Sequence, residues 1–186
     1  MADFVPPICN RGIIRRRGSG SGQGAVVRYG RVAQADGETV RSLEVREVSG
    51  PRDLREIIAI RRAVFTDEQH LTDTVDRDPH DQGAGSVQVL ARLDGESVGI
   101  GRLHVWRGEG NIAWVAVLPP YRGLGIGWEI MDVLLEAAGR RGAQRVTLSA
   151  QTHAIGFYRL LGFRTVGTTW IMGNIEHITM VRELDE

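Results

Sequence analysis

The chain has 186 residues, 42% of them hydrophobic, and its 23 basic and 23 acidic residues cancel to a formal net charge of zero. That length suits one domain with a sizeable core plus an appendage, and the charge balance removes any global argument for nucleic acid or an anionic membrane as partner. Every basic residue is arginine, which excludes lysine chemistry, and the lone Cys9 excludes an intrachain disulfide or a Cys-based zinc site. No stretch is apolar for long enough to be a signal peptide or a membrane span, so the cytoplasm is the expected compartment.

Residues 1–42 differ in composition from the rest. Residues 10–24, NRGIIRRRGSGSGQG, join an arginine cluster to Gly/Ser low complexity and read as a flexible tail. Arg11 and Arg15 to Arg17 are a candidate patch for an acidic partner, but no aromatics interleave them, so nucleic acid is not the expected partner. The apolar stretches at 26–29 and 39–43 are candidates for an added edge strand. The folded domain is expected over residues 43–186.

Residues 43–48 alternate apolar and charged side chains, as a half-buried strand does. Ser49-Gly50-Pro51 opens a helix to about Val64, with Leu54, Ile57, Ile58, Arg61 and Phe65 at helical spacing. An acidic loop with Asp73, Asp76, Asp78 and Asp81 follows, and it reads as solvated because it lacks the glycine and closing glutamate of a calcium loop. Residues 87–93, 97–106 and 112–118 form a three-strand meander around an Asp94-Gly95 hairpin turn. Trp106 and Trp128 are expected in the core, with exposure or a homodimer contact as the alternative.

Pro119-Pro120 ends the meander. Gly123, Gly125 and Gly127 then lead into a helix over 125–140 that carries Ile126, Ile130, Leu134 and Ala137 along one face. A strand over 145–150, a short helix from Thr152 or His153 to Leu161, a Gly162-Phe163 break and strands near 164–169 and 178–182 complete the chain. The fold class is therefore α/β with a mixed sheet (α+β) of about six to seven strands flanked by helices. The two strands on either side of the long helix run parallel across its crossover.

The glycine turn has the makings of an anion cradle, since bare N–H groups and the helix dipole both favour negative charge there. It is not a nucleotide-hydrolysing P-loop, because Gly127 is followed by Trp128 and Glu129 rather than by lysine and a hydroxyl. Nor does it complete a dinucleotide fingerprint, which wants a further glycine where Trp128 stands. What remains, Arg122-Gly123-Leu124-Gly125-Ile126-Gly127 after Val-Leu-Pro, closely resembles the R/Q-x-x-G-x-G/A signature of the GNAT superfamily of N-acyltransferases.

Two further stretches extend that resemblance to roughly residues 43–184. Gln151-Thr152-His153-Ala154, Tyr158 and Gly162-Phe163 are similar to the family's N-x-x-A-x-x-x-Y followed by Gly-Phe, with Gln151 in place of asparagine. Residues 61–69, RRAVFTDEQ, and 173–180, GNIEHITM, resemble elements of the ElaA-like branch of small bacterial proteins. The resemblance implies acetyl-CoA as co-substrate, its pyrophosphate on Arg122, Gly123, Leu124, Gly125, Ile126 and Gly127. It also implies that the pantetheine arm lies along Val115, Ala116 and Val117, and that Gln151 and Tyr158 sit near the thioester. Tyr158 would give a proton to the departing thiolate.

An acceptor ammonium must lose a proton before attack, so a carboxylate or imidazole should face the thioester. Glu68, His153, His177, Glu176 and His104 are the candidates, of which Glu68 and His177 are preferred as catalytic acceptor-site residues. The oxyanion falls to a backbone N–H near Val117. The five histidines have no zinc spacing, so no metal is expected. The acceptor pocket is expected from residues 65–82 and 170–177. The reading is an acetyl-CoA-dependent N-acetyltransferase acting directly on a primary amine of a small molecule; the alternative is a non-catalytic CoA-sensing module with a partner-binding tail.

Overall fold

A computed structural model describes residues 16–17, 27–33, 40–71, 75–76 and 78–184. They form one nine-stranded sheet in the order β1-β2-β3-β4-β5-β6-β7-β9-β8. The seven strands from Val40 onward are β3 (Val40–Val48), β4 (Ser86–Leu93), β5 (Glu96–Trp106), β6 (Glu109–Val117), β7 (Arg145–Gln151), β8 (Arg164–Met172) and β9 (Ile175–Glu183). Two more, β1 (Arg16–Arg17) and β2 (Val27–Ala33), lengthen the edge beyond β3. Arg11, Arg15 and most of the Gly/Ser-rich segment lie outside the described residues.

Every neighbouring pair is antiparallel except β6 and β7, which α2 (Ile126–Arg140) joins as a crossover. Alternation along β5 sorts the helices to opposite faces. Ile100 packs with Leu90 and Ala116 under Ile57, Ile60 and Val64 of α1 (Pro51–Arg61) and the turn after it. Gly99 and Gly101 point the other way, beneath α2, where a Cβ on Gly101 would sit 2.7 Å from Leu134 Cδ1 and 2.8 Å from Ile130 Cγ2. Glycine here is a packing choice, since it lets α2 lie close to the sheet. A shorter helix, α3 (Ile155–Leu160), follows β7.

Past Arg61 the helix widens into a π-helical segment, Arg62–Glu68, and the Gln69 N–H donates five residues back to the Val64 carbonyl at 3.1 Å. Leu54, expected on the inner face of α1, is instead 36% exposed, while Ile60 and Arg61 are buried. The Asp94-Gly95 hairpin forms as read, with φ of 51° and 85°. Trp106, expected in the core, is 65% exposed beneath the Arg107 guanidinium, because it ends β5 where the sheet runs out. Trp128 packs edge-on against Phe157 at 5.6 Å. No described helix is long and apolar enough to cross a membrane.

The acidic loop departs most from its expectation. Asp78 and Asp81 turn inward to neutralise two arginines that the α1 side of the sheet buries completely or nearly so. Arg61 donates both terminal nitrogens to Asp81 at 2.6 and 2.7 Å, and Arg102 donates to Asp78 at 2.6 Å. Gln88 and the Val75 carbonyl add to the Arg61 shell, while the Arg61 Nε has no hydrogen-bond partner among the described residues. Asp76 pairs with Arg62 at the surface, and Asp73 lies outside the described residues. Buried charges survive only when paired in this way.

Two outcomes follow for stability. Gly101→Ala is expected to cost about 1–3 kcal/mol, read as a lowered urea midpoint, because both neighbours are fully buried side chains with no room to retreat. Burial alone would raise the Asp78 carboxyl, but the Trp114 indole N–H, the His80 amide and Arg102 outweigh it and hold it at about 2. A folded pKa below the unfolded one stabilises above the unfolded value of about 3.9 and is lost as pH falls through the folded one. Unfolding free energies from urea titrations should therefore decline between about pH 4 and pH 2 by on the order of 2 kcal/mol from this group, and Asp78→Asn, although less stable at neutral pH, should flatten that decline. An unchanged slope in the variant would show that Asp78 is not the titrating group.

Candidate functional site

The parallel pair that α2 bridges is short. β6 and β7 are in register only from Glu109↔Arg145 to Ile112↔Leu148. Beyond that point β6 carries a bulge, where the register against β5 shifts between Ile100 and Arg102 and Trp114 takes φ = 56°. A positive φ on tryptophan is strained and needs outside support. Here the support is the buried charge cluster: the Trp114 Nε1–H donates to Asp78 at 2.7 Å, Arg61 lies over its ring at 4.9 Å, and Phe65 meets it edge-on at 5.1 Å. From Ala113 on, the β6 edge facing β7 has no ladder partner, and a cleft of about 1190 Å³ opens between the two strands.

On the α2 side, Pro119–Tyr121 form a single tight turn and Gly123 and Gly125 adopt left-handed φ of 78° and 81°. Gly125 caps α2, and its carbonyl receives the Trp128 and Glu129 amides. Among the described residues, the N–H groups of Gly123, Leu124, Gly125, Ile126 and Gly127 have no acceptor. Bare amides at the start of a 15-residue helix suit a pyrophosphate, and the open β6 edge at Val115, Ala116 and Val117 suits an amide-bearing arm. All of these residues line the cleft except Leu124.

Arg122 is already engaged. Its Nε donates to the Val117 carbonyl at 2.9 Å, and its two terminal nitrogens clasp Glu68 at 2.7 and 2.6 Å. The clasp lowers the Glu68 carboxyl below its ordinary range. Tyr158 reaches the cleft from α3, with its ring held between Phe157 and Phe163 at 5.0 and 6.0 Å. Burial pushes its phenol up to about 12, so it stays protonated at any ordinary pH.

On the α1 side stand Phe65, Glu68 and Gln69 from the π-helical segment and its end, together with Gln151, Trp170 and His177. Gln151 and Gln69 exchange side-chain hydrogen bonds at 2.8 and 3.5 Å. His177 is 3% exposed, stacks on Trp170 at 5.1 Å, and has Nδ1 2.9 Å from the Ile175 carbonyl. A carbonyl only accepts, so Nδ1 donates to it, and in the neutral imidazole the lone pair is then on Nε2. His153 also lines the cleft, whereas His104 and Glu176 do not. His104 instead packs against His80 at 4.8 Å.

Glu68, His177, Tyr158, Gln151 and the glycine turn, separated by up to about a hundred residues in sequence, therefore meet at one cleft. Sequence reasoning missed Trp114, Asp78 and Arg102. The one available signal was an arginine in an otherwise apolar strand, Gly-Ile-Gly-Arg-Leu, which demands a buried carboxylate. Among the described residues no three His, Cys, Asp or Glu gather closely enough to hold a metal ion.

Comparison with known proteins places this geometry. Residues 54–163 match the model of the acetyltransferase (GNAT) family. YjcF of Bacillus subtilis (strain 168), named an uncharacterized N-acetyltransferase, is 31% identical over 132 residues, which is 70% of this chain and 92% of that one. The crystal structure of Escherichia coli ElaA superposes with a TM-score of 0.69 at 26% identity, covering 76% of this chain and 99% of the other. An acyl-CoA N-acyltransferase from Pseudomonas aeruginosa superposes with a TM-score of 0.67 at 27% identity over 75% and 97%. The parted parallel strands, the glycine turn and these matches agree: the chain belongs to the GNAT family of acetyltransferases, on its ElaA-like branch.

Proposed function

We propose that this protein is an N-acetyltransferase that moves an acetyl group from acetyl-CoA directly to a primary amine of a small molecule. The observation that carries the reading is the meeting, across one cleft, of unpartnered amides at Gly123–Gly127 with Tyr158 on the α2 side and His177 with Glu68 on the α1 side. Acetyl-CoA supplies an activated acyl carbon on a thiol leaving group. The amides of the glycine turn hold the pyrophosphate, Arg122 braces that turn through the Val117 carbonyl, and the free edge at Val115, Ala116 and Val117 orients the arm so that its thioester reaches Gln151 and Tyr158.

His177 Nε2 takes the proton from the attacking amine. Glu68, whose carboxyl the Arg122 clasp holds below its ordinary range, is committed to that ion pair and fixes Arg122 at the mouth of the cleft. A C–N bond forms as the C–S bond breaks, the amine loses one proton and the sulfur gains one. A phenol near 12 does not surrender its proton readily to a thiolate whose ordinary pKa is about 8.5, so the Tyr158 hydroxyl stabilises the departing sulfur by a hydrogen bond, and solvent completes the protonation. Every residue in this account lies between Glu68 and His177. The catalytic unit in this reading is residues 43–186, and β2 with the first residues of β3 extends its sheet at the edge. The cytoplasm and a homodimer remain compatible with it.

Four measurements test the reading. Calorimetry should detect acetyl-CoA binding, and a free-thiol release assay should detect amine-dependent turnover; absence of binding would falsify the proposal. His177→Ala is expected to lower kcat by about 10²–10⁴ with the acetyl-CoA Kd little changed. Tyr158→Phe should lower kcat by about 10–150-fold, the worth of one hydrogen bond to a charged sulfur, again with the Kd preserved. A Tyr158→Phe enzyme of full activity removes that residue from the mechanism.

A further inference from the structure

The α1 side of the cleft carries more apolar surface than a water-filled opening needs. Residues directly opposite on neighbouring strands share a face, as do alternate residues along one strand. Gln151 of β7 stands opposite His177 of β9, His177 opposite Trp170 of β8, and Ile175 opposite Met172. The Gln151 side chain meets Gln69 on the α1 side, so Trp170, Met172, Ile175 and His177 all face that way. α1 stops short of them, because it packs over Leu90, Ile100 and Ala116 in the middle of the sheet. Trp170 and Met172 are left 40% and 44% exposed within the cleft, beside the Phe65–Trp114 pair.

Exposed apolar groups gathered in a concave site mark a place for an apolar ligand. Ring geometry adds a shape: His177 and Trp170 are stacked with only 22° between their planes, a flat surface that a further ring extends. Charge adds a limit. Among the described residues lining the cleft the carboxylates are Glu68 and Asp78, and each already neutralises an arginine. With neither carboxylate free, an acceptor with several ammonium groups would bring that many unpaired charges against aromatic walls, whereas a monoamine brings one that His177 can deprotonate. The neutral polar pair nearby, Gln69 and Gln151, spends its groups on itself, which leaves little for a ladder of sugar hydroxyls.

Resting on the N-acetyltransferase reading above, we infer that the acceptor is a primary monoamine borne on an aromatic or comparably flat apolar body, bedded on Trp170 beside Phe65 and Trp114 with its amine at His177. Trp170 is then the specificity-determining residue.

The test is a comparison of kcat/KM at saturating acetyl-CoA for 2-phenylethylamine and tryptamine against spermidine, kanamycin and glycine, by thiol release with the full-length protein. The aromatic monoamines should exceed the others at least tenfold. Trp170→Ala should reduce kcat/KM for 2-phenylethylamine about tenfold, mostly through KM, and Trp170→Phe should restore most of it. Because Trp170 is partly exposed on an edge strand, both variants should keep the wild-type acetyl-CoA Kd and melting temperature. A preference for spermidine or kanamycin, or an aromatic preference unmoved by Trp170→Ala, overturns the inference. So does acetyl-CoA binding without turnover of any aromatic monoamine, whereas loss of acetyl-CoA binding altogether overturns the parent reading.

Discussion

Two guanidinium groups buried on one side of a sheet set the terms for everything around them. Arg61 and Arg102 lie too deep to reach water, so Asp78 and Asp81 have to be drawn in from the loop between the π-helical segment and β4. Once there, Asp78 has capacity left for the Trp114 indole, and that hydrogen bond, with Arg61 over the ring, holds β6 in a bulge it would not otherwise adopt. The bulge turns β6 away from β7. The cleft, and with it every functional group described above, depends on this ionic cluster being complete.

The two halves of the site are built from different materials. The α2 side works with backbone, through amides freed by left-handed glycines and a strand edge freed by the parting of the sheet. The α1 side works with side chains, namely aromatic rings, an imidazole of fixed tautomer and a glutamate already in an ion pair. Backbone recognition is tolerant of what surrounds it and suits a donor common to a whole family. Side-chain recognition is particular to one chain and suits an acceptor that differs from relative to relative.

That difference also explains what could be read before any coordinates existed. The glycine turn, the long helix with Ile126, Ile130 and Leu134, and the strand order are local patterns, and each emerged close to its expected bounds. Tyr158 and His177 stand out in the sequence because they sit in short motifs, and both line the cleft. The buried salt bridges were not, since Arg61 pairs with Asp81 twenty residues away and Arg102 with Asp78 twenty-four away across the sheet. An acidic loop on its way to a buried arginine has the same composition as one facing water. Trp106 misled for the converse reason, because its chemistry favours the core while its place at the end of β5 leaves it nothing to pack under.

The π-helical segment can be viewed as a question of phase. A regular helix advances about 100° per residue, and the wide turn at Arg62–Glu68 absorbs one residue more than that count allows. Arg61, before it, aims into the ionic cluster, while Glu68 and Gln69, after it, aim at Arg122 and Gln151. Wound as an ordinary helix, the same residues would put Glu68 and Gln69 roughly a quarter turn out of line with their partners. The π-helical turn is what lets one continuous helix serve the buried cluster at one end and the cleft at the other.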